Sequence, residues 1–280
     1  MSGREVVARV VVTADDLGLH PALNAGILRA HDEGVVTSVS IVSNGSAFAE
    51  AAAQCRARPG LGCGVHLTLT GCVPACAPER VASLLGAPGR LRRSWPSLLR
   101  ALAAGRVRLA EAESEWRAQI LRVLDAGLRP SHLNGHQHVH LFPPLFAIAR
   151  KLAAEFGIGR LRLPASSASW SGGPGATLRD LSVSAAGWLC RRRSPPDSVL
   201  CFGIPHSGRL DPVSLAAALR AVARRGAGEL VCHPGSCDEA LARDLGWGYR
   251  WEAELSLLTG PGTQEALRAA GIRRCRFDEL

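Results

Sequence analysis

Two neighbouring carboxylates, Asp15 and Asp16, close the apolar run VVVTADDLG at residues 10–18. Such a pair suits divided labour, one carboxylate binding a cation while the other handles a proton. Side chains alternate along a strand, so both can serve one site only if the chain turns there, and Gly18 permits a turn. The plainer reading is a cap for the helix that carries Asn24, with the other Asp solvated. A lone histidine, His66, ends a second apolar run in GVHLTLTG, residues 64–71, and by itself reads as a structural imidazole. The segment SHLNGHQHVHLFPP, residues 131–144, holds four of the nine histidines: His132, His136, His138 and His140. On a strand the last three would share one face until Pro143 and Pro144 end the pattern. One or two of them could ligate a metal while the others orient it or line a pocket. The apolar Val139, Leu141 and Phe142 among them argue against a solvated tract. Taken together, the three segments form an Asp/His metal site, and two imidazoles with one carboxylate leave open positions for hydrolytic water. His233, in ELVCHPGSCD at 229–238, could protonate a leaving group; otherwise it is a turn histidine.

These side chains meet only if the elements bearing them are adjacent. Strands are expected at Val6–Thr13, Ser38–Val42, Gly62–Leu67, Ser131–Asn134, Arg160–Leu163, Val199–Phe202 and Glu229–Cys232. Helices are expected at Ala22–Glu33, Ala47–Ala57 (capped by Ser46), Leu109–Ala126, Pro144–Phe156 and Pro212–Arg225 (capped by Asp211). Repeated strand–helix alternation implies parallel strands with crossover helices. The fold class is therefore α/β, with about seven parallel strands, close to the eight of a closed (β/α) barrel and possible as an incomplete one. In such barrels chemistry gathers at the C-terminal strand ends, where Asp15, Asp16, His66, His136 and His233 all fall. One domain spans residues 1–280, with a Pro-, Gly- and Arg-rich insertion around 73–107 and a mobile loop at 166–175.

Composition narrows the function classes. The 280 residues are 47% hydrophobic, ample for a large core. No run approaches the roughly 20 apolar residues of a membrane span, and the N-terminus lacks a signal-peptide pattern, so a cytoplasmic protein is expected. Nine cysteines without a C-x-x-C pair read as reduced thiols, with Cys72 and Cys76 a remote alternative as zinc ligands. The net charge of +9 comes from scattered arginines, with short clusters at Arg92–Arg93 and Arg191–Arg193. Without aromatic interleaving this does not make a nucleic-acid surface. Residues 89–108 mix Trp95 and leucines with arginines, a pattern for an amphipathic lid helix or a peripheral contact with an anionic membrane.

The combination of ADDLG at 14–18, GVHLTLT at 64–70, SHLNGHQHVHLFP at 131–143 and CHPG at 232–235 resembles the YdjC-like (ChbG/HpnK) carbohydrate deacetylases. The resemblance covers nearly the whole chain. It implies removal of acetyl groups from N-acetylated amino sugars with one divalent metal ion, on a distorted (β/α) barrel. It implies that Asp16, His66 and His136 hold the metal, that Asp15 is the base, and that His233 is the acid near the leaving amine. His138, His140, Asn134 and Arg162 are then expected near the substrate, binding sugar hydroxyls, contacting an anionic group or supporting His136. Asn134 and Leu17 depart from the family pattern, where Asp and Phe are common. The metal could be zinc, cobalt, nickel, manganese or magnesium. The partner is an acetylated amino sugar, free, lipid-linked or nucleotide-linked, and a homodimer is compatible with the resemblance. The rival readings are a metal-dependent hydrolase of an ester or phosphoester, and a sugar-binding barrel without turnover. A second bound ion would favour phosphoester chemistry. The pairing of Asp15 with Asp16 favours turnover, since a silent binder has no need of a base.

Overall fold

The computed structural model describes residues 7–164 and 199–280, together with Ala185, Gly187 and Cys190. The loop expected at 166–175 and the Arg191–Arg193 cluster lie outside the described residues.

Apolar β-branched runs form the strands, and the helices between them return the chain to the same edge. In order come β1 (Ala8–Leu17), α1 (Pro21–Asp32), β2 (Ser38–Ile41), α2 (Phe48–Arg56) and β3 (Gly62–Leu67). The inserted region contributes the short β4 (Leu85–Ala87) and β5 (Arg90–Leu91), an antiparallel pair, and α3 (Trp95–Ala103). Then follow α4 (Leu109–Asp125), β6 (Leu133–Gly135), α5 (Pro143–Glu155), β7 (Leu163–Pro164), β8 (Leu200–Phe202), α6 (Pro212–Arg225) and β9 (Ala227–Cys232). Three helices, α7 (Asp238–Leu245), α8 (Trp251–Thr259) and α9 (Pro261–Ala269), precede β10 (Ile272–Arg274).

Seven strands lie in the order β6-β3-β2-β1-β9-β8-β7, every pair parallel. The sheet curls until its ends meet through one bridge, Leu133 with Leu161, where Leu133 N donates to Arg160 O and Arg162 N to Leu133 O. This is the expected distorted (β/α) barrel. The strand β10 was not anticipated; it pairs with the N-terminal half of β1, Ala8 opposite Ile272.

Alternation along each strand separates two environments. Val10 and Val12 of β1, Val39 and Ile41 of β2, and Val65 and Leu67 of β3 join the core shared with Leu23 and Ile27 of α1. Burying each such side chain contributes about 1.5–3 kcal/mol. Val11, facing the other way, packs in a separate cluster with Cys275 and Phe277.

Helix ends follow the sequence in one case and depart from it in another. Asp211 caps α6 through a reciprocal pair with Ser214. Ser46 does not cap α2: Ala47 holds that position, and the Ser46 hydroxyl donates to Leu19 O instead. All nine cysteines are free thiols. Leu98 of α3 is fully buried while Trp95 at its start is 45% exposed, the pattern of a helix packed on the barrel. Among the described residues no helix is long and apolar enough to cross a membrane.

Candidate active site

The carboxylates of Asp15 and Asp16 reach one pocket because β1 does not stay regular. Its register with β2 shifts between Ala14 and Leu17, and Asp16 takes a left-handed backbone with φ +70°. Asp tolerates this conformation better than most residues because its short side chain can bond locally. Gly18 follows with φ +90°, where a Cβ would sit 2.9 Å from Val42 O. Its N–H donates to Asn24 Oδ1, so Asn24 anchors the turn, and the N-cap of α1 is His20 rather than either Asp.

His66 near the end of β3 and His136 just after β6 converge on Asp16. The His136 Nδ1 lies 2.8 Å from Asp16 Oδ1 and the His66 Nε2 lies 3.3 Å from the same oxygen. One donor atom from each of the three lies within 4.8 Å of the others, and all three residues are buried. Burial opposes ionisation of Asp16, but the two imidazoles override it and hold the carboxyl well below its ordinary range. The fit to a cation rests on polarity. His66 Nδ1 faces the oxygen of Asn134 at 2.6 Å, so it donates there and Nε2 is the nitrogen that faces Asp16; burial opposes a charge on the ring, but Asp15 and Asp16 outweigh it and raise the His66 pKa. A lone pair and a carboxylate facing each other in a buried site call for a proton or a metal ion between them. The trio therefore fits a divalent ion as a two-imidazole, one-carboxylate set.

Asp15 is held differently. Arg162 donates to both of its oxygens, through Nη1 to Oδ2 and through Nη2 to Oδ1 at 2.9 Å. The same guanidinium bonds Glu229 Oε1 through Nε at 3.0 Å and Nη2 at 2.6 Å. Burial would raise the Asp15 pKa, but Arg162, His66 and His233 outweigh it and hold the carboxyl far below the usual range. Burial lowers the His233 pKa, against the pull of Asp15 and Asp16, and its Nδ1 has no hydrogen-bond partner among the described residues. Glu254, lifted to about 7 by burial, accepts from His233 N at 2.7 Å and Leu210 N at 3.0 Å and fixes the turn bearing His233.

Above these groups opens a cavity of about 480 Å³. Asp15, Asp16, His66, His136 and His233 form its floor, and His138, Gln137 and Ser207 add polar edges. Its wall is apolar and aromatic: Trp95, Leu99, Leu141, Phe142, Ile204, Trp247 and Tyr249. The Trp247 ring stands 5.3 Å from that of His136, and Tyr249 meets His233 edge-on at 5.4 Å.

The expected substrate contacts divide. His138 lines the cavity, its backbone left-handed with φ +56° like that of Gln137, so the three histidines do not share a strand face. His140, Asn134 and Arg162 stand behind the floor, at most 3% exposed. Most of their polar atoms are committed elsewhere: His140 Nε2 to Arg162 O, Asn134 to His66, Asp15 and Ser40, and Arg162 to Asp15 and Glu229, while His140 Nδ1 has no partner among the described residues. Burial removes them from direct contact with a ligand in the cavity. Sequence reasoning missed Glu229, Trp247 and Tyr249. A lone acid inside the buried strand AGELVC and the chain's single Tyr, one residue from a Trp, were the available signals.

The fold and the floor define a barrel-like α/β protein with an Asp–His–His cluster at its strand ends. The chain belongs to the YdjC-like protein family, whose model matches residues 9–269. A carbohydrate deacetylase of Brevibacillus brevis is 30% identical over 275 residues, covering 97% of this chain and 99% of the relative. A chitooligosaccharide deacetylase of Enterobacter sp. is 30% identical over 276 residues, covering 97% and 98%. Among solved structures, an Enterococcus faecalis protein provisionally named for cellobiose-phosphate cleavage superposes with a TM-score of 0.78 at 28% identity, covering 98% of each chain.

Proposed function

We propose that this chain hydrolyses the N-acetyl group of an acetylated amino sugar, giving acetate and the free amine. The observation that carries the reading is the buried Asp16–His66–His136 trio with Asp15 beside it at the floor of an aromatic-walled cavity. The names of the relatives, carbohydrate and chitooligosaccharide deacetylase, support the bond and the substrate class.

Asp16, His66 and His136 would hold one divalent cation, and zinc, cobalt, nickel or manganese suits this mixed donor set better than magnesium. When bound, such an ion polarises a carbonyl and lowers the pKa of water. Asp15 takes a proton from the attacking water. Arg162 holds it ionised and so able to accept that proton. General-base help of this kind is worth about 10²–10⁴-fold in rate. His233 faces the cavity and relays to the departing amine the proton that Asp15 takes from the water, since burial lowers its own pKa and the amine is a poor leaving group until protonated. The flat faces of Trp95, Trp247 and Tyr249 position the apolar face of the sugar ring.

The test is acetate release. Protein loaded in parallel with zinc, cobalt, nickel, manganese or magnesium meets N-acetylglucosamine as monosaccharide, chitobiose, nucleotide-linked and lipid-linked forms, with Asp15→Asn as matched control. Acetate that requires both cation and Asp15 is expected. No acetate from any combination with cation demonstrably bound would overturn the reading.

A further inference from the structure

One hydrogen-bond chain inside the barrel has a fixed direction. Its far end is the carbonyl of Cys63, which can only accept, so the Ser131 hydroxyl donates to it at 3.1 Å. The Ser131 oxygen then accepts from His132 Nδ1 at 3.2 Å. His132 is buried, and burial together with nearby Arg162 drops its pKa to about 3, so the ring is neutral and Nε2 is an acceptor. The Ser40 hydroxyl donates to that nitrogen at 3.1 Å. Its oxygen accepts from Asn134 Nδ2 at 2.6 Å, which turns the amide oxygen toward His66 Nδ1, also at 2.6 Å. A second anchor agrees. Asn134 Nδ2 also donates to Asp15 Oδ1 at 3.2 Å, and Asp15, ion-paired with Arg162, can only accept.

We propose that Ser131, His132 and Ser40 are positioning residues: through Asn134 they keep a proton on His66 Nδ1, so that Nε2 is the nitrogen left to face Asp16 and a cation. This rests on the reading of His66 as a cation ligand, for which the tautomer with Nδ1 protonated is the competent one. Without the chain the amide loses its 2.6 Å contact and keeps only the longer 3.2 Å one to Asp15, so its other end can compete for His66. Donating its NH₂ group to Nδ1 would move the ring proton to Nε2, where a cation would have to displace it.

Cation-free protein labelled with ¹⁵N-histidine tests this by a long-range ¹H–¹⁵N correlation spectrum, which reads the nitrogen bearing the proton. His66 is assigned by the signals lost in His66→Gln. Wild type should keep Nδ1 protonated throughout a pH titration, with Nε2 the nitrogen that loses its proton first. Ser40→Ala and His132→Leu should show mixed forms and bind cobalt about tenfold more weakly or worse. His132→Gln, which keeps one donor and one acceptor, should restore both readouts. In Asn134→Asp the carboxylate accepts from His66 in any orientation, so adding Ser40→Ala there should leave the tautomer unmoved. Wild-type spectra and cobalt affinity in folded Ser40→Ala and His132→Leu would overturn the proposal, as would an equal tautomer shift in the Asn134→Asp background. Failure of wild type to bind cobalt would instead remove the cation reading of the site, and the tautomer spectra would still decide the chain.

Discussion

At the floor of the pocket Asp15 and Asp16, and behind it Asn134 and Arg162, each engage at least two named side chains. On the wall, Trp247 and Tyr249 meet other rings: each other at 5.5 Å, Trp251, the tilted ring of His136 and the ring of His233 edge-on. The floor is a network of buried charge in which each removal strands a partner. The wall is a set of apolar contacts in which a removal leaves space. Chemistry should therefore tolerate little change below, while substrate choice can drift above.

The sharpest way to break the floor is Asp15→Asn. Acetate release should fall by about 10²–10⁴-fold while cobalt binding persists, because the trio is untouched; an equal loss of cobalt would place Asp15 among the ligands. Next is Arg162→Met, which leaves Asp15 and Glu229 as uncompensated buried charges. Denaturant unfolding should show a loss of about 3–5 kcal/mol, the usual effect of breaking a buried ion pair from one side. A change under 1 kcal/mol would mean that the charges find water.

Glu254 sharpens the comparison through pH. Its folded pKa, about 7, lies above the ordinary 4.5, so the folded chain holds the extra proton between those values. Stability should accordingly fall as pH rises from about 4.5 to 7, by roughly 3 kcal/mol for this group, and level off above. Comparison with Glu254→Gln isolates that slope, and an unchanged slope would refute the assignment. The smallest effect belongs to the wall. Trp247→Ala should raise KM for the sugar about 3–10-fold with kcat nearly unchanged, in line with the loss of one ring contact. A kcat loss as large as that of Asp15→Asn would show that the ring orders His136.

The same contrast explains what the sequence made legible. Asp15, Asp16, His66, His136 and His233 stood out because strand ends leave a signature, a polar residue directly after an apolar run. The strands carrying them fell close to their expected places, and Gly62–Leu67 matched residue for residue. The roles of Asn134, His140 and Arg162 were not legible, because burial behind the floor depends on which strands pair across the barrel. The turn that unites the two carboxylates was expected at Gly18; the left-handed backbone at Asp16 itself requires the register shift against β2. The strand β10, read as IRR, carries two charges and owes its conformation to pairing with β1 at the far end of the sequence. The wall residues sit in loops and short helices, where no periodicity marks them.

The central position of β1 bears on how the chain is made. Thr13 pairs with Ser38 on one side but with Val231 on the other, and the lower half of the strand waits for Ile272. At synthesis rates of about 5–20 residues per second, the strand that carries both carboxylates emerges roughly 10–40 s before its second neighbour exists. For that interval Val10, Val11 and Val12 present an unpaired, strongly β-forming edge to everything near the ribosome. A nascent chain of this shape depends on being shielded early, and its yield should respond to translation speed and to holding chaperones more than its final stability would suggest.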